Sequence, residues 1–229
     1  MPTLRTLGRV ALISPHLDDA VFSCGQLLAA HPDSTVVTVF AGEPPADTPL
    51  TEWDERCGFT SAAQAVALRR EEDRIGLSLL EARPVWLDFA DSQYGSSPRP
   101  QEVGAALQQV LLELAPDSVV FPLGLFHSDH ALVHEAVVHI VPTLPDMRWL
   151  VYEDALYRGL RGLVQLRLMA LAQAGVCATP LRLADEGSAL LKARAVQAYA
   201  SQLRGFGEGG YDDLAAPERC WLYEPAGQG

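Results

Sequence analysis

Short apolar runs alternate along this chain with longer segments of helical period, and this alternation constrains the fold more than any other feature. The runs are rich in β-branched residues, as buried strands are, while the segments between them repeat apolar residues every three to four positions. This pattern is typical of βαβ units. It predicts an α/β fold that is Rossmann-like, with a mostly parallel sheet and helices on both faces. The predicted strands are 8–13, 34–40, 84–89, 117–122 and 149–152.

Helical segments and two long polar stretches separate these runs. The stretches at about 43–60 and 91–100 are predicted to be loops. Loops at the carboxyl ends of the strands often determine substrate specificity. A chain of 229 residues suits one domain. We expect a single domain over 1–229, with a Rossmann-like core over about 8–157 that C-terminal helices and strands over about 158–229 complete. The predicted helices are 20–30, 61–80, 101–114, 129–140 and 187–203.

The charge balance is strongly acidic, since 17 Lys and Arg face 29 Asp and Glu and give a net charge of −12 with His neutral. This excludes a nucleic acid partner, because phosphate binding needs a basic stripe. The four cysteines are far apart without CxxC spacing, which predicts reduced thiols, and no apolar stretch reaches membrane-spanning length. We expect a cytoplasmic protein that acts on a small molecule and can form a homo-oligomer.

The first chemical motif, His16-Leu17-Asp18-Asp19, directly follows the first predicted strand. Open α/β sheets usually bind ligands at the carboxyl ends of their strands. His16 and one carboxylate can hold a divalent metal, while the other carboxylate can accept a proton from water whose pKa the metal lowers. The alternative is that Asp18 or Asp19 merely caps the helix that begins near Ala20.

A second motif, His127-Ser128-Asp129-His130, follows the fourth predicted strand. His127 and His130 lie three positions apart at a helix start, so both can face one cleft. Asp129 can orient an imidazole by accepting its N–H. The alternative is a pair of surface histidines on a turn. Together the two motifs predict a His, His, carboxylate site of the type that hydrolytic zinc enzymes use, and the same donors accept Fe²⁺, Mn²⁺ or Co²⁺.

The two motifs together resemble those of the LmbE/PIG-L family of metal-dependent deacetylases. The family's motifs are (A/P)HPDDE and HxDH, where this chain carries PHLDDA and HSDH. The resemblance covers about residues 8–204. It implies hydrolysis of an N-acetyl group from an N-acetylglucosamine-containing substrate. Further matches are RREE at 69–72 for the family's RxxE helix, YED at 152–154, and Lys192 with YASQ at 199–202 for its K…YxSQ segment.

The resemblance also implies roles for individual residues. His16, Asp19 and His130 match the family's metal ligands, which usually hold zinc. Asp18 matches its general base, and His127 matches the histidine that stabilises the oxyanion or protonates the leaving amine. These roles agree with the needs of amide hydrolysis, which are an activated water, an electrophile for the oxyanion and a proton for nitrogen.

Substrate contacts are predicted from the resemblance and from aromatic residues in the loops. The resemblance implies that Asp129 orients one of the histidines and that Arg69 contacts the sugar. Aromatic rings suit the apolar faces of sugars, which makes Trp53, Tyr94 and Trp86 candidates. Tyr94 is the preferred one because it lies in a predicted loop, whereas Trp86 lies in a predicted strand.

Three departures from the family pattern leave other functions open. Leu17 replaces the usual proline, Ala20 replaces an acidic residue, and Leu125 stands where some relatives carry tyrosine. One alternative function is an amidase that acts on a thiol or sugar conjugate. The other is a catalytically inactive relative that binds sugar or metal.

Overall fold

Seven strands form one sheet in the computed structural model, which describes residues 7–95, 97–181 and 186–226. The sheet order is β3-β2-β1-β4-β5-β7-β6. The first five of these strands run parallel, while β7 pairs antiparallel with both β5 and β6. The predicted mostly parallel sheet is confirmed. The strands are β1 (Val10–Ser14), β2 (Thr35–Thr38), β3 (Arg83–Trp86), β4 (Ser118–Pro122), β5 (Arg148–Tyr152), β6 (Val176–Leu181) and β7 (Cys220–Pro225).

Helices cover both faces of the sheet, as predicted. Side chains alternate between the two faces of a strand, so Leu12 of β1 packs in a core with α1, α3 and α7, while Ala11 and Ile13 pack with α4 and α5. Burial on both faces explains why β1 is apolar at almost every position. The helices are α1 (Asp19–Ala30), α2 (Glu52–Arg56), α3 (Ala62–Ser78), α4 (Pro100–Leu114), α5 (Ser128–Ile140), α6 (Leu163–Gln173), α7 (Glu186–Val196) and α8 (Ala200–Phe206).

The sheet order places the two predicted motifs side by side. β1 lies between β2 and β4. After β1 the chain continues to β2, towards one edge of the sheet, and after β4 it continues to β5, towards the other edge. Such a switch in strand order opens a crevice at the carboxyl ends of the strands. The loops after β1 and β4 carry the motifs, so the fold brings them to this crevice.

The structure corrects two of the predicted elements. The stretch at 43–60 contains the short helix α2, where the Thr51 hydroxyl accepts the backbone N–H of Asp54. The helix predicted over 187–203 is instead α7 and α8, because Tyr199 leaves helical geometry between them. Its ring is fully buried and its hydroxyl donates to Asp73 at 3.0 Å. Core packing of one tyrosine therefore outweighs the helical period of the segment.

None of the helices in the described part of the chain is both long and apolar enough to span a membrane. The four cysteines carry free thiols, and only Cys177 is exposed.

Candidate active site

A serine at the end of β1 shapes the loop that carries the first motif. The Ser14 hydroxyl donates to the carbonyl of His16 at 2.7 Å and accepts the backbone N–H of Ala20 at 3.0 Å. The chain therefore turns tightly from β1 into α1. Asp18 stands at the N-cap position of α1, yet its side chain makes no capping hydrogen bond. The capping alternative is wrong for Asp18, whose carboxylate lines a cleft instead.

Three side chains from the two loops converge on one point. His16 Nδ1 lies 3.0 Å and His130 Nε2 lies 3.1 Å from Asp19 Oδ2. Ligand atoms of the three residues all lie within 4.8 Å of one another. Two imidazoles and a carboxylate form a donor set that suits zinc and other divalent transition metals. The structure thus brings together the three residues predicted as metal ligands.

The other ring nitrogen of each of these histidines faces a buried carboxylate. His16 Nε2 lies 3.1 Å from Asp129 Oδ2, and His130 Nδ1 lies 2.7 Å from Asp154 Oδ1. Ligating histidines usually have such an acceptor, which fixes the tautomer and leaves the opposite nitrogen free for a metal. Both histidines therefore fit a metal role, and Asp129 contacts a histidine as the prediction of its orienting role requires.

A second cluster, formed by His16, His127 and Asp129, also has metal-binding spacing. However, His127 Nδ1 accepts the backbone N–H of Asp129 at 3.2 Å. A neutral imidazole that accepts at Nδ1 carries its proton on Nε2, so this ring has no free lone pair for a metal. The cluster of His16, Asp19 and His130 is the better metal site.

The charges around the ligands favour a cation at their centre. Burial opposes a charge on His130, but the carboxylates of Asp19 and Asp154 raise its pKa to about 9. Burial likewise opposes a charge on His16, while nearby carboxylates, Asp91 foremost, raise its pKa well above the usual value. In the metal-free protein the His130 ring is therefore protonated near neutral pH, and a divalent ion would replace that proton.

Asp18 has the protonation behaviour of an acid–base group. Burial and the neighbouring Asp19 carboxylate raise its pKa to about 7, against the opposing effects of Arg69 and His16. A carboxyl group that titrates near the working pH can both accept and return a proton.

His127 is held as a neutral ring at the edge of the cleft. Burial and the charges of His16 and His130 lower its pKa, and the bond from the Asp129 backbone leaves Nε2–H as its donor. The preceding residue, Phe126, has a φ of 59°, a region that is strained for a bulky side chain. This bend lies where the chain passes from β4 into α5, directly before the histidine.

A cleft of about 290 Å³ lies over these groups. Arg69 is the one Lys or Arg among the described residues that line it, and its guanidinium lies 3.6 Å from Asp91. Arg69 is buried, and its Nε has no hydrogen-bond partner among the residues that the structure describes. The lining residues are His16, Asp18, Asp19, Phe22, Trp53, Arg69, Asp91, Gln93, His127, His130, Ala155, Leu156, Tyr157, Gln202 and Phe206.

The aromatic candidates differ in their relation to the cleft. Trp53 lines it, and its indole N–H donates to Gln202 at 3.1 Å. Tyr94 is not among the described lining residues, and its hydroxyl donates to Asp54 at 3.0 Å. Trp86 donates to Asp73. Stacking of the Tyr94 ring on a sugar stays a prediction. The hydroxyl bond to Asp54 ties the loop of Tyr94 to α2.

Two acidic residues of the site were given no role from the sequence. Asp154 follows β5 and Asp91 lies in the loop after β3, on either side of the motifs that follow β1 and β4. The signal that would have found them is their position, because each follows a strand of the same parallel sheet. Asp154 is fully buried against His130, and Asp91 lies 3.8 Å from His16 Nε2.

Comparisons with known proteins agree with this geometry. The chain matches the PIG-L family model, described as GlcNAc-PI de-N-acetylase, over residues 11–141. It is 32% identical over 217 residues to 2'-N-acetylparomamine deacetylase of Streptomyces fradiae, an alignment that covers 85% of this chain and 74% of the relative.

Solved structures show the same fold. A triple mutant of a deacetylase from the teicoplanin biosynthetic pathway superposes with a TM-score of 0.78 at 24% identity, over 94% of this chain and 97% of that one. The zinc-inhibited form of the teicoplanin deacetylase Orf2 gives 0.76 at 22% identity, with the same coverage. The family match spans both motifs, and the chain therefore belongs to the PIG-L (LmbE-like) family of de-N-acetylases.

Proposed function

We propose that this protein is a metal-dependent hydrolase that removes the N-acetyl group from an N-acetylglucosamine-containing substrate. One observation carries the proposal: His16, Asp19 and His130 converge beside the free carboxylate of Asp18 on the wall of one cleft. Amide hydrolysis needs an activated water and a group that transfers protons, and a metal site next to an acid–base group can supply both.

The metal would be held by His16 Nδ1, Asp19 and His130 Nε2. When bound there, a divalent ion would lower the pKa of a water molecule and polarise the acetyl carbonyl. Zinc is the first candidate because of the donor set, and Fe²⁺, Mn²⁺ and Co²⁺ are the others. A zinc-inhibited form is known of one structural neighbour, so zinc should be titrated and not simply added in excess.

Asp18 would move the protons of the reaction. As a carboxylate it accepts a proton from the attacking water, and as a carboxylic acid it returns that proton to the leaving amine nitrogen. In the metal-free protein burial and the Asp19 carboxylate raise the pKa of Asp18 to about 7, so this carboxyl group can take up and release a proton near neutral pH. His127, whose Nε2 carries the proton of a neutral ring, would donate a hydrogen bond to the carbonyl oxygen as negative charge develops on it. The sequence left His127 open between this role and protonation of the amine, and its tautomer favours the oxyanion role.

The substrate would be a small amino sugar. The cleft volume of about 290 Å³ lies at the lower end of the range for ligand pockets, which suits one sugar ring with its acetamido group. Arg69 would bind hydroxyls of that ring. The relative from Streptomyces fradiae is a 2'-N-acetylparomamine deacetylase, and the net charge of −12 would attract a substrate that carries further amines. We therefore place N-acetylated amino sugars with free amines ahead of acidic conjugates.

The test is acetate release by metal-free protein reconstituted with stoichiometric Zn²⁺, Fe²⁺, Mn²⁺ or Co²⁺. Substrates would be 2'-N-acetylparomamine, N-acetylglucosamine, N,N'-diacetylchitobiose, N-acetylglucosaminyl inositol and N-acetylglucosaminyl malate. We expect 2'-N-acetylparomamine to be deacetylated with the highest kcat/KM of the five. A thiol-conjugate amide would be assayed beside these five by release of free amine, and its cleavage without acetate release from the five would favour the amidase alternative. Metal and sugar binding without any turnover would favour the inactive relative.

The cytoplasmic location and a homo-oligomeric state stay predictions from composition. Cell fractionation and light scattering of the purified protein would test them.

A further inference from the structure

Tyr157 lines the cleft, and its hydroxyl is not used by any residue in the described part of the chain. Tyr157 is half-buried and lines the cleft together with Asp18 and His127. Within the described ranges, no residue forms a hydrogen bond with its hydroxyl. Three other tyrosine hydroxyls near the site are engaged: Tyr94 donates to Asp54, Tyr152 to the Ile13 carbonyl and Tyr199 to Asp73.

Three aromatic rings around Tyr157 hold its own ring in place. It lies nearly parallel to His127, at 27° and 6.3 Å between centroids. It meets His130 edge to face, at 83° and 5.3 Å, and packs on Phe126 at 5.3 Å. The phenol is therefore fixed relative to both histidines of the second motif.

The backbone that carries Tyr157 is also anchored on both sides. Before it, the Leu156 N–H donates to Asp213 at 2.9 Å, and Leu156 has a left-handed φ of 69°. After it, the buried Arg158 donates to the same Asp213 carboxylate at 2.8 Å. Asp154, three residues earlier, contacts His130. A segment held this firmly can present a side chain to a reacting group without further ordering.

We propose that Tyr157 is a catalytic residue whose hydroxyl donates a second hydrogen bond, beside that of His127, to the developing oxyanion. The inference rests on the proposed deacetylation. Water attack converts the planar acetamide carbonyl into a tetrahedral centre and places negative charge on its oxygen, which preorganised donors stabilise. A phenol, with an ordinary pKa of about 10, is a neutral donor at working pH. Its proton is shared with the oxyanion and not transferred, so Asp18 still completes the proton balance.

The test is the substitution Y157F, which removes the hydroxyl and keeps the ring between His127 and Phe126. Loss of one oxyanion donor typically lowers kcat by about 10²–10³-fold. We expect such a fall in kcat, with KM changed by less than about threefold. Y211F is the matched control, because Tyr211 lies outside the lining of the cleft, and we expect its kcat to be unchanged. Equal zinc content and equal thermal midpoints would show that both variants fold like the wild type.

A binding measurement separates this inference from the proposed function. Methylphosphonate is a tetrahedral anion that resembles the charged intermediate, and calorimetry with zinc-loaded protein measures its affinity without turnover. We expect Y157F to weaken methylphosphonate binding by at least about tenfold and Y211F to leave it unchanged. An unchanged affinity in Y157F overturns the inference, whatever the turnover. If Y157F weakens methylphosphonate binding but the wild type deacetylates no substrate, the proposed function is overturned while the anion site at Tyr157 is supported.

Discussion

The carboxylate of Asp154 lies 2.7 Å from Nδ1 of His130 and so ties the end of β5 to the helix that follows β4. The second oxygen of Asp154 accepts the backbone N–H groups of Gly124 and Leu125, each at 3.0 Å. One fully buried side chain thus fixes both the tautomer of a metal ligand and the loop that leads to it.

Replacing this carboxylate should weaken the metal site. In D154N an amide group faces backbone donors and no longer supplies charge to His130, and loss of such a partner typically lowers metal affinity about 10–100-fold. Zinc affinity measured by chelator competition would test this expectation. D117N is the control, because Asp117 is exposed and pairs with Arg9. Equal affinities in the two variants would contradict a positioning role for Asp154.

Substitutions of the adjacent residues Asp18 and Asp19 should have different effects on kcat and on zinc content. D18N removes the acid–base group and should lower kcat by about 10²–10⁴-fold with full zinc content. D19N removes a ligand and should lose zinc together with activity. Metal analysis and acetate release on the same preparations separate the two effects. A D18N protein that lacks zinc, or that turns over normally, would contradict the assignment of Asp18 as the acid–base group and Asp19 as the metal ligand.

Zinc binding should release protons. The pKa of His130 is raised to about 9 by Asp19 and Asp154 against the effect of burial, so the metal-free protein is protonated there at pH 7. Because coordination requires the free lone pair, the proton must leave, and affinity should fall about tenfold or more per pH unit below pH 8. Calorimetry at pH 7 in two buffers of different ionisation enthalpy would measure the release. Heats that do not depend on the buffer would contradict it.

His134 should make the protein sensitive to acid. Burial and the charge of Arg167 lower its pKa to about 3, while its ring donates to the Pro122 carbonyl. The folded state therefore binds fewer protons than the unfolded state below pH 6.5, and stability falls as the pH decreases from about 6.5 towards 3. At pH 5 the loss from this group is about 2 kcal/mol.

The substitution H134N keeps a side-chain N–H donor and removes the titration. Urea unfolding at pH 7 and pH 5 should show a smaller loss of stability in H134N than in the wild type. H139N changes an exposed histidine of the same helix and should behave like the wild type. An equal pH dependence in all three proteins would rule out His134 as the source.

The sequence predicts the central part of this fold well because strands buried on both faces leave continuous apolar runs. All five predicted strands exist, and both motifs follow strands that lie next to each other in the sheet. β6 and β7 were not located, since β6 lies at the edge of the sheet with several partly exposed residues that weaken the apolar pattern. The break at Tyr199 depends on a contact with Asp73, 126 positions away, which local periodicity does not contain.

Much of the candidate site could also be read from the chain, because its ligands lie within two short segments. Asp154 and Tyr157 could not, since their contacts with His130 and His127 depend on how β5 packs beside β4. The burial of Asp18 without a capping bond is likewise a property of the folded loop.

An anomalous-scattering map of crystals with stoichiometric zinc, collected above the zinc absorption edge, tests the central claim most directly. The account predicts one peak at about 2.0–2.2 Å from His16 Nδ1, an Asp19 carboxylate oxygen and His130 Nε2, and no peak there in crystals of H130A. A peak bound instead by His127 and Asp129, or no peak near His16 in protein that releases acetate, would contradict it.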